Sequence, residues 1–243
     1  NTGLAAAVRD ADGDVVPFFA SDPAMLKRPD IAATRVRYVL ESLAELALEI
    51  ERTGSHLAFD HGEPEKVLLR AANACSANAV YWNDEYEPWL IARDAAVERA
   101  LTENNVQVRR FHDRLLVPPG AVLNKARQPF VMYTPFRKAC DAQPIAAPVS
   151  GPHRLEPHRL PRRTLATLER IGFQPPESER WAGGTRGAQA RLATFLGHGL
   201  GLYATHRDVP AAPAASRLSA DLKFGTLSVR TVAHAALAAA QAD

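Results

Sequence analysis

With 243 residues, 47% of them hydrophobic, the chain is long enough for one large or two modest domains and has ample apolar material for a core. It holds no run of 18 or more apolar residues, and no basic segment followed by an apolar stretch at its start, so neither a membrane span nor a signal peptide is expected. The formal net charge of +2 says nothing about nucleic acid, but residues 141–243 carry 12 Lys and Arg against 8 Asp and Glu while residues 1–140 carry 17 against 19. A basic second half is compatible with phosphate binding on one side only.

The first 140 residues alternate strand and helix patterns. Leu4 to Val8 starts a helix. Val15 to Ala20 is an apolar run between Asp12-Gly13-Asp14 and Ser21-Asp22-Pro23, the pattern of a buried strand. Ile31 to Arg52 reads as a long amphipathic helix, with Val36, Val39, Leu40, Leu43, Leu46 and Leu48 near a 3.6-residue period, stopped by Gly54. A strand over Leu57–Asp60, a helix over Pro64–Ala74, a strand over Ala79–Trp82, a helix from about Pro88 to Asn104 and a strand over Val106–Phe111 follow. The predicted fold class for residues 1–140 is α/β, a Rossmann-like parallel sheet with helices on both faces.

Between Pro144 and Pro161 the composition shifts to Pro, Ala, His and Arg without a period, so residues 141–164 are expected to be an interdomain linker. Its basic residues, His153, Arg154, His158, Arg159, Arg162 and Arg163, read as a solvated linker rather than a DNA-binding patch. Residues 165–243 show helical patterns alone, at Arg186–Leu196, Leu200–His206 and Ser228–Ala242, the start of an all-α unit. Ser216 to Leu227 reads as a loop or single turn before a helix capped by Ser228. Ser216 and Ser219 bracket Arg217 there. Hydroxyls, a guanidinium and free N–H groups suit a phosphate, although a Ser-rich loop before a helix also serves simply as a cap.

Cys75 and Cys140 have no CxxC partner and are expected to be reduced core thiols of a cytoplasmic protein. The eight histidines form no H-x-x-x-H pair, so no metal site is expected. There is no G-x-S-x-G elbow and no G-x-G-x-x-G or G-x-x-x-x-G-K-[ST] loop. Gly183-Gly184 reads as a turn before a helix. Asp22, Arg35 and Glu85 lie where loops at the carboxyl ends of parallel strands bind ligands, though each also fits an ordinary surface charge.

The string Ser216-Arg217-Leu218-Ser219-Ala220-Asp221-Leu222-Lys223-Phe224-Gly225-Thr226-Leu227-Ser228-Val229-Arg230 resembles the flavin-phosphate segment of the DNA photolyase/cryptochrome family, T-S-R-L-S-P-x-L-x-x-G-x-L-S-x-R. Upstream, Trp181 with Gly183-Gly184, Ala190-Arg191-Leu192 to Phe195-Leu196, and Gly201-Leu202-Tyr203 with Arg207-Asp208 follow in the family's order. So do Tyr81-Trp82-Asn83, Tyr86-Glu87-Pro88, Arg93-Asp94, Pro118-Pro119-Gly120 and Tyr133-Thr134-Pro135-Phe136 in the first half. The resemblance runs over essentially the whole chain.

It implies FAD as cofactor, with Tyr203, Ser216, Arg217, Leu218 and Ser219 on its phosphate and ribityl side, and Arg207 towards a DNA-facing surface. It implies an antenna crevice at Asp22, Arg35 and Glu85. Folate-type members carry N-E where Trp89-Leu90 stands, which leaves a deazaflavin, another dye or none. The implied activity is deoxyribodipyrimidine photolyase, acting as a monomer on damaged DNA that contains pyrimidine dimers. A cryptochrome-like blue-light receptor or an inactive fragment are the alternatives. Pro213-Ala214-Ala215 replaces the family's D-G-T, and a hydrogen bond to phosphate lost at Ala215 weakens binding by about 1.5–3 kcal/mol. The resemblance further places a first, mid-sheet strand before Asn1, and the isoalloxazine clamp, the tryptophan chain and the dimer pocket after Asp243. No catalytic residue is assigned, Trp82, Trp89 and Trp181 read as packing residues, and repair by these 243 residues alone is not expected.

Overall fold

The computed structural model describes residues 1–12, 14–176 and 181–242, and the β–α alternation of the first half is present in it. Gly13, at the centre of the expected first turn, lies outside the described residues. Helix α1 (Thr2–Asp10) starts from Asn1, whose side-chain oxygen accepts from the Leu4 amide at 2.9 Å. Strand β1 (Phe18–Ser21) is shorter than the apolar run because Pro17 has no N–H for a ladder; the Pro17 carbonyl still accepts from Ala58. A short α2 (Pro23–Leu26) and the long α3 (Ala33–Arg52) lead to β2 (Ala58–His61), parallel to β1 with Phe18 opposite Ala58. Helix α4 (Pro64–Cys75) crosses to β3 (Ala79–Asn83), and α5 (Pro88–Glu103) returns the chain to β4 (Gln107–Phe111), parallel to β3.

Parallel pairing and flanking helices follow the prediction, but the sheet is not continuous. It consists of two separate pairs, β1–β2 and β3–β4. No described strand hydrogen-bonds one pair to the other, so each keeps unpaired backbone edges. The sequences of β1 and β3 suit a fully covered central strand, yet their residues are only half-buried.

Two apolar clusters support these pairs. Leu43, Ile50, Leu57 and Leu155 form the first with Phe19 and Val39 against it; Ala72, Val97, Leu101 and Val106 form the second. In α3 Val36 and Leu43 of the expected period are buried, but Leu46 and Leu48 lie outside at 40% and 52% exposure, and Tyr38 and Ile50, which the period does not include, are buried. That exchange matters because α3 has a second neighbour, described below.

After α6 (Tyr133–Asp141), which buries no residue, there is no helix or strand until a 3₁₀ turn at Glu169–Ile171. This segment is laid along the first core. Leu155, 1% exposed, completes the first cluster, its amide donates to the Thr53 carbonyl at 2.9 Å, and the Ser55 hydroxyl donates to the Glu156 carbonyl at 3.0 Å.

Beside it the His56 and His158 rings face each other with centroids 3.8 Å apart. Each Nε2 lies on a backbone carbonyl, His56 on Leu160 at 2.9 Å and His158 on His56 at 2.8 Å, so each Nε2 carries the proton. His158 Nδ1 is buried without a partner. Burial pushes the His158 pKa down, against the opposing pull of the His56 carbonyl. The fold therefore favours neutral imidazole: its stabilisation is complete above the unfolded value of about 6.5 and is lost as pH falls through and below it. The melting temperature is expected to fall from pH about 7.5 to about 5, and His158→Gln to flatten that fall.

The second half is helical throughout its regular structure. Helix α7 (Gly184–Thr194) runs through a π-helical turn (Phe195–Gly199) into α8 (Leu200–His206); α9 (Ser219–Phe224) and α10 (Val229–Ala242) follow. The stretch expected as a loop or single turn thus carries α9. The cap expected at Ser228 is present, its hydroxyl accepting from the Arg230 amide at 3.2 Å. Ala188, Leu192, Leu218 and Leu227 form the third apolar cluster.

Candidate functional site

The Ser216–Ser219 loop is placed by what surrounds it. Helix α7 docks end-on against α3, and three amides at its start are satisfied by α3 side chains. Gly183 N–H donates to Glu41 at 2.8 Å, Gly184 N–H to Ser42 Oγ at 2.9 Å and Arg186 N–H to Glu45 at 2.9 Å. Two carboxylates at a helix N-terminus also suit its dipole. The approach requires glycine: a Cβ on Gly183 would fall inside contact distance of the Tyr38 carbonyl and 2.9 Å from Glu41 Cβ and Ser42 Oγ. Gly183-Gly184 is therefore a close-packing device as well as a turn.

At its far end α7 passes into the π turn, against which the loop runs; a Cβ on Gly199 would meet the Pro213 carbonyl at 3.4 Å. Ala214 and Leu218 anchor the loop at 0% and 1% exposure. Between them Ser216 is half-buried and Arg217 exposed, and Ser219, just after Leu218, is exposed. Arg217 has a φ of +55°, left-handed backbone that a non-glycine residue adopts at a cost. Among the described residues, the side chains of Ser216, Arg217 and Ser219 have no hydrogen-bond or ion-pair partner, so two hydroxyls and a guanidinium remain available. Arg217→Gly is expected to change stability by less than about 0.5 kcal/mol in chemical denaturation, since relief of the left-handed backbone offsets the added freedom of the unfolded chain. The same change removes the only charge of this loop.

Tyr203, on α8, is 42% exposed, with its ring edge-on to Phe195 and the Arg207 guanidinium 6.0 Å from its centroid. Arg207 is exposed beside Asp208, with Nε and Oδ2 3.7 Å apart. Leu218 spends its side chain on the third core, so any ligand contact it makes is through its main chain.

The second candidate region is a cleft of about 460 Å³ lined by Asp22, Arg28, Glu63, Glu65, Trp89 and Arg93, among others. Asp22 caps α2, accepting from the Ala24 amide at 2.8 Å. Glu85 does not line the cleft and pairs with Arg114; Arg35 is exposed on the first turn of α3, 3.5 Å from the Asp30 carbonyl. The structure thus brings one of the three expected residues to the cleft. Sequence reasoning missed its main feature, the Arg28 guanidinium stacked 4.4 Å from the Trp89 ring centroid. The Trp89 indole N–H donates to Glu87 at 3.2 Å, and Glu87 pairs with Lys223 of α9, whose hydrogen bond holds the Glu87 carboxyl below the usual range. The signal available for it was that Trp89-Leu90 departs from the N-E that the resemblance implies for a folate-type chain.

Cys75 and Cys140 are half-buried free thiols, and burial pushes the Cys75 thiol up. Among the described residues no group of three or more His, Cys, Asp or Glu could hold a metal ion, and no helix is long and apolar enough to cross a membrane.

Comparison with known proteins gives these features a context. The family model described as DNA photolyase matches residues 1–153. The chain is 36% identical to an uncharacterised 31.6 kDa protein of Synechococcus sp., covering all of this chain and 87% of that one. It is 34% identical to a deoxyribodipyrimidine photo-lyase of Synechococcus sp., covering 98% of this chain and 51% of that one. Among solved structures, a bacterial class III photolyase from Agrobacterium tumefaciens superposes with a TM-score of 0.83 at 29% identity, over 97% of this chain and 49% of that one. The chain spans about half the length of the curated photolyases that it matches.

Proposed function

The chain belongs to the DNA photolyase family, and from that premise we propose that it serves light-driven repair of cyclobutane pyrimidine dimers in DNA, as a deoxyribodipyrimidine photolyase. Because the chain spans half of such relatives, the activity is assigned to a protein that also supplies the remaining half. The observation that carries the reading is the Ser216–Ser219 loop, which is held by buried Ala214 and Leu218 and whose two hydroxyls and guanidinium have no partner among the described residues. That donor set fits the phosphates of FAD. Reduced FAD, when bound and excited by blue light, supplies the electron that opens the dimer's cyclobutane ring.

The chain's own residues bind and orient. Ser216, Arg217 and Ser219 grip phosphate, and Tyr203 flanks the ribityl side. Arg207 faces the DNA backbone. The cleft at Asp22, Arg28 and Trp89 takes the antenna chromophore, a deazaflavin in preference to a folate; the Arg28–Trp89 stack offers a planar face to a flat dye.

The test is FAD titration of the purified chain, followed by flavin fluorescence and by the blue absorption band. Arg217→Ala is expected to weaken binding at least tenfold, and Ala215→Thr, which restores a hydroxyl, to tighten it by about tenfold. Binding that ignores both changes would remove the loop from the flavin site. Repair of a dimer-containing oligonucleotide under blue light, by a protein that joins this chain to the remaining half of a relative, tests the activity.

A further inference from the structure

Arg217 holds its left-handed backbone at an energetic cost. Its side chain touches no partner that could offset its left-handed backbone, so the strain must be imposed by its neighbours. One flank is apolar, Leu218 packed into the third cluster. The other is a buried polar node centred on Asp221, whose side chain is 0% exposed. Asp221 Oδ1 accepts from the Tyr38 hydroxyl at 2.6 Å, Arg191 Nη2 at 2.6 Å and Thr226 Oγ1 at 3.1 Å, and Oδ2 accepts from Arg191 Nε at 3.0 Å. Tyr38 OH and Thr226 Oγ1 are themselves 2.7 Å apart. Tyr38 lies on α3, Arg191 on α7 and Asp221 on α9, one turn after the loop, where the Leu222 amide donates to the Leu218 carbonyl at 2.9 Å.

Burial works against the Asp221 charge, but hydrogen bonds from Arg191 and Tyr38 outweigh it and hold the carboxyl below the usual range. Burial and the bond to Asp221 push Tyr38 up to about 12, so its proton stays on the hydroxyl and points at the carboxylate. A buried ion pair adds little net stability over apolar packing of the same volume. What directional hydrogen bonds to one carboxylate do supply is a single arrangement of the three helices that meet there.

We infer that Tyr38 and Asp221 are positioning residues for the flavin-phosphate loop: through the buried node, α3 of the α/β half dictates the backbone of Ser216–Ser219 in the helical half. This deepens the proposed function and rests on it for the identity of the ligand. The loop geometry is tested without that premise.

The experiment compares the parent chain with Tyr38→Phe and Thr226→Val, each of which removes one hydroxyl from the node and leaves Arg191–Asp221 intact. Amide hydrogen exchange is read at Leu222, whose amide donates to the Leu218 carbonyl of the loop, and, as reference, along α5. FAD affinity is measured in parallel, with Arg217→Ala beside it. Both node variants are expected to speed loop exchange by about tenfold and to raise the Kd for FAD by a similar factor, with α5 unchanged. Unchanged loop exchange, or equal acceleration in α5, overturns the inference, because the node then acts only on global stability. If the parent chain does not bind FAD, or Arg217→Ala binds it equally well, the flavin reading falls while loop exchange still decides the positioning role.

Discussion

Replacing Arg191 by methionine is expected to cost about 3–5 kcal/mol, because it strands a carboxylate with no exposed surface. For a chain of this length that corresponds to a fall of about 6–20 °C in melting temperature. Among the described residues the guanidinium contributes two of the four hydrogen bonds to the Asp221 carboxylate and its only ion pair, and it lies 5.7 Å from the Trp181 ring centroid. A lysine cannot reproduce the two-pronged contact, so Arg191→Lys should recover only part of the loss. The pH dependence separates this mechanism from a simple packing defect. In the parent, Asp221 has a depressed pKa in the fold, so its contribution is present above the unfolded value of about 3.9 and is lost as pH falls below it. Without Arg191, burial dominates and the folded pKa rises above the unfolded one. The variant should therefore gain stability, relative to the parent, as pH is lowered from about 7 to about 5. Adding Asp221→Leu to Arg191→Met should restore most of the stability, since both buried charges are then gone. Urea unfolding at two pH values reads all of these, and a loss independent of pH would point to packing alone.

Much of the frame was legible because it rests on local patterns. Prolines at helix starts, as at Pro64 and Pro88, and short apolar runs between turn residues mark the β–α alternation to within a residue or two. What escaped depends on partners remote in sequence. Asp221 sits in a short helix beside Ser219 and Lys223 and reads in sequence as a surface carboxylate, yet its partners Tyr38 and Arg191 are 183 and 30 residues away. The period of α3 was read as having one apolar face, but the helix serves two neighbours. Glu41, Ser42 and Glu45 turn to α7 and Tyr38 to Asp221 of α9, while Leu43 and Ile50 fill the first core. That division explains why Leu46 and Leu48 are left outside. The break between the two strand pairs concerns hydrogen bonding across elements, which periodicity within a strand does not register. At the Ser216–Ser219 loop, residue types and order suggest a phosphate site; the left-handed Arg217 and the buried node behind it come only from geometry.

The same seam yields the other large effect. Gly183 has φ −71° and ψ 176°, extended backbone that alanine adopts freely, so Gly183→Ala tests space and nothing else. The added methyl meets the Tyr38 carbonyl, a fixed part of the α3 backbone, rather than the far end of a flexible side chain. Helix α7 must withdraw from α3. In doing so it gives up the bonds from Gly183, Gly184 and Arg186 to α3 and draws Arg191 away from the carboxylate that it shares with Tyr38. Overpacking of this kind costs about 1–3 kcal/mol, and lost capping adds about 1 more, so a melting temperature lower by about 4–16 °C is expected. The control is the same substitution two helical segments on. Gly201 lies in α8 with nothing within 4 Å of the position of its Cβ, and Gly201→Ala should raise stability by about 0.5–1 kcal/mol through helix propensity alone. If both changes shift the melting temperature in the same direction, the close approach of α7 to α3 is not what holds the two halves together. If they diverge in sign, then the fit at Gly183 carries the docking, and through Arg191 and Asp221 the Ser216–Ser219 loop depends on it as well.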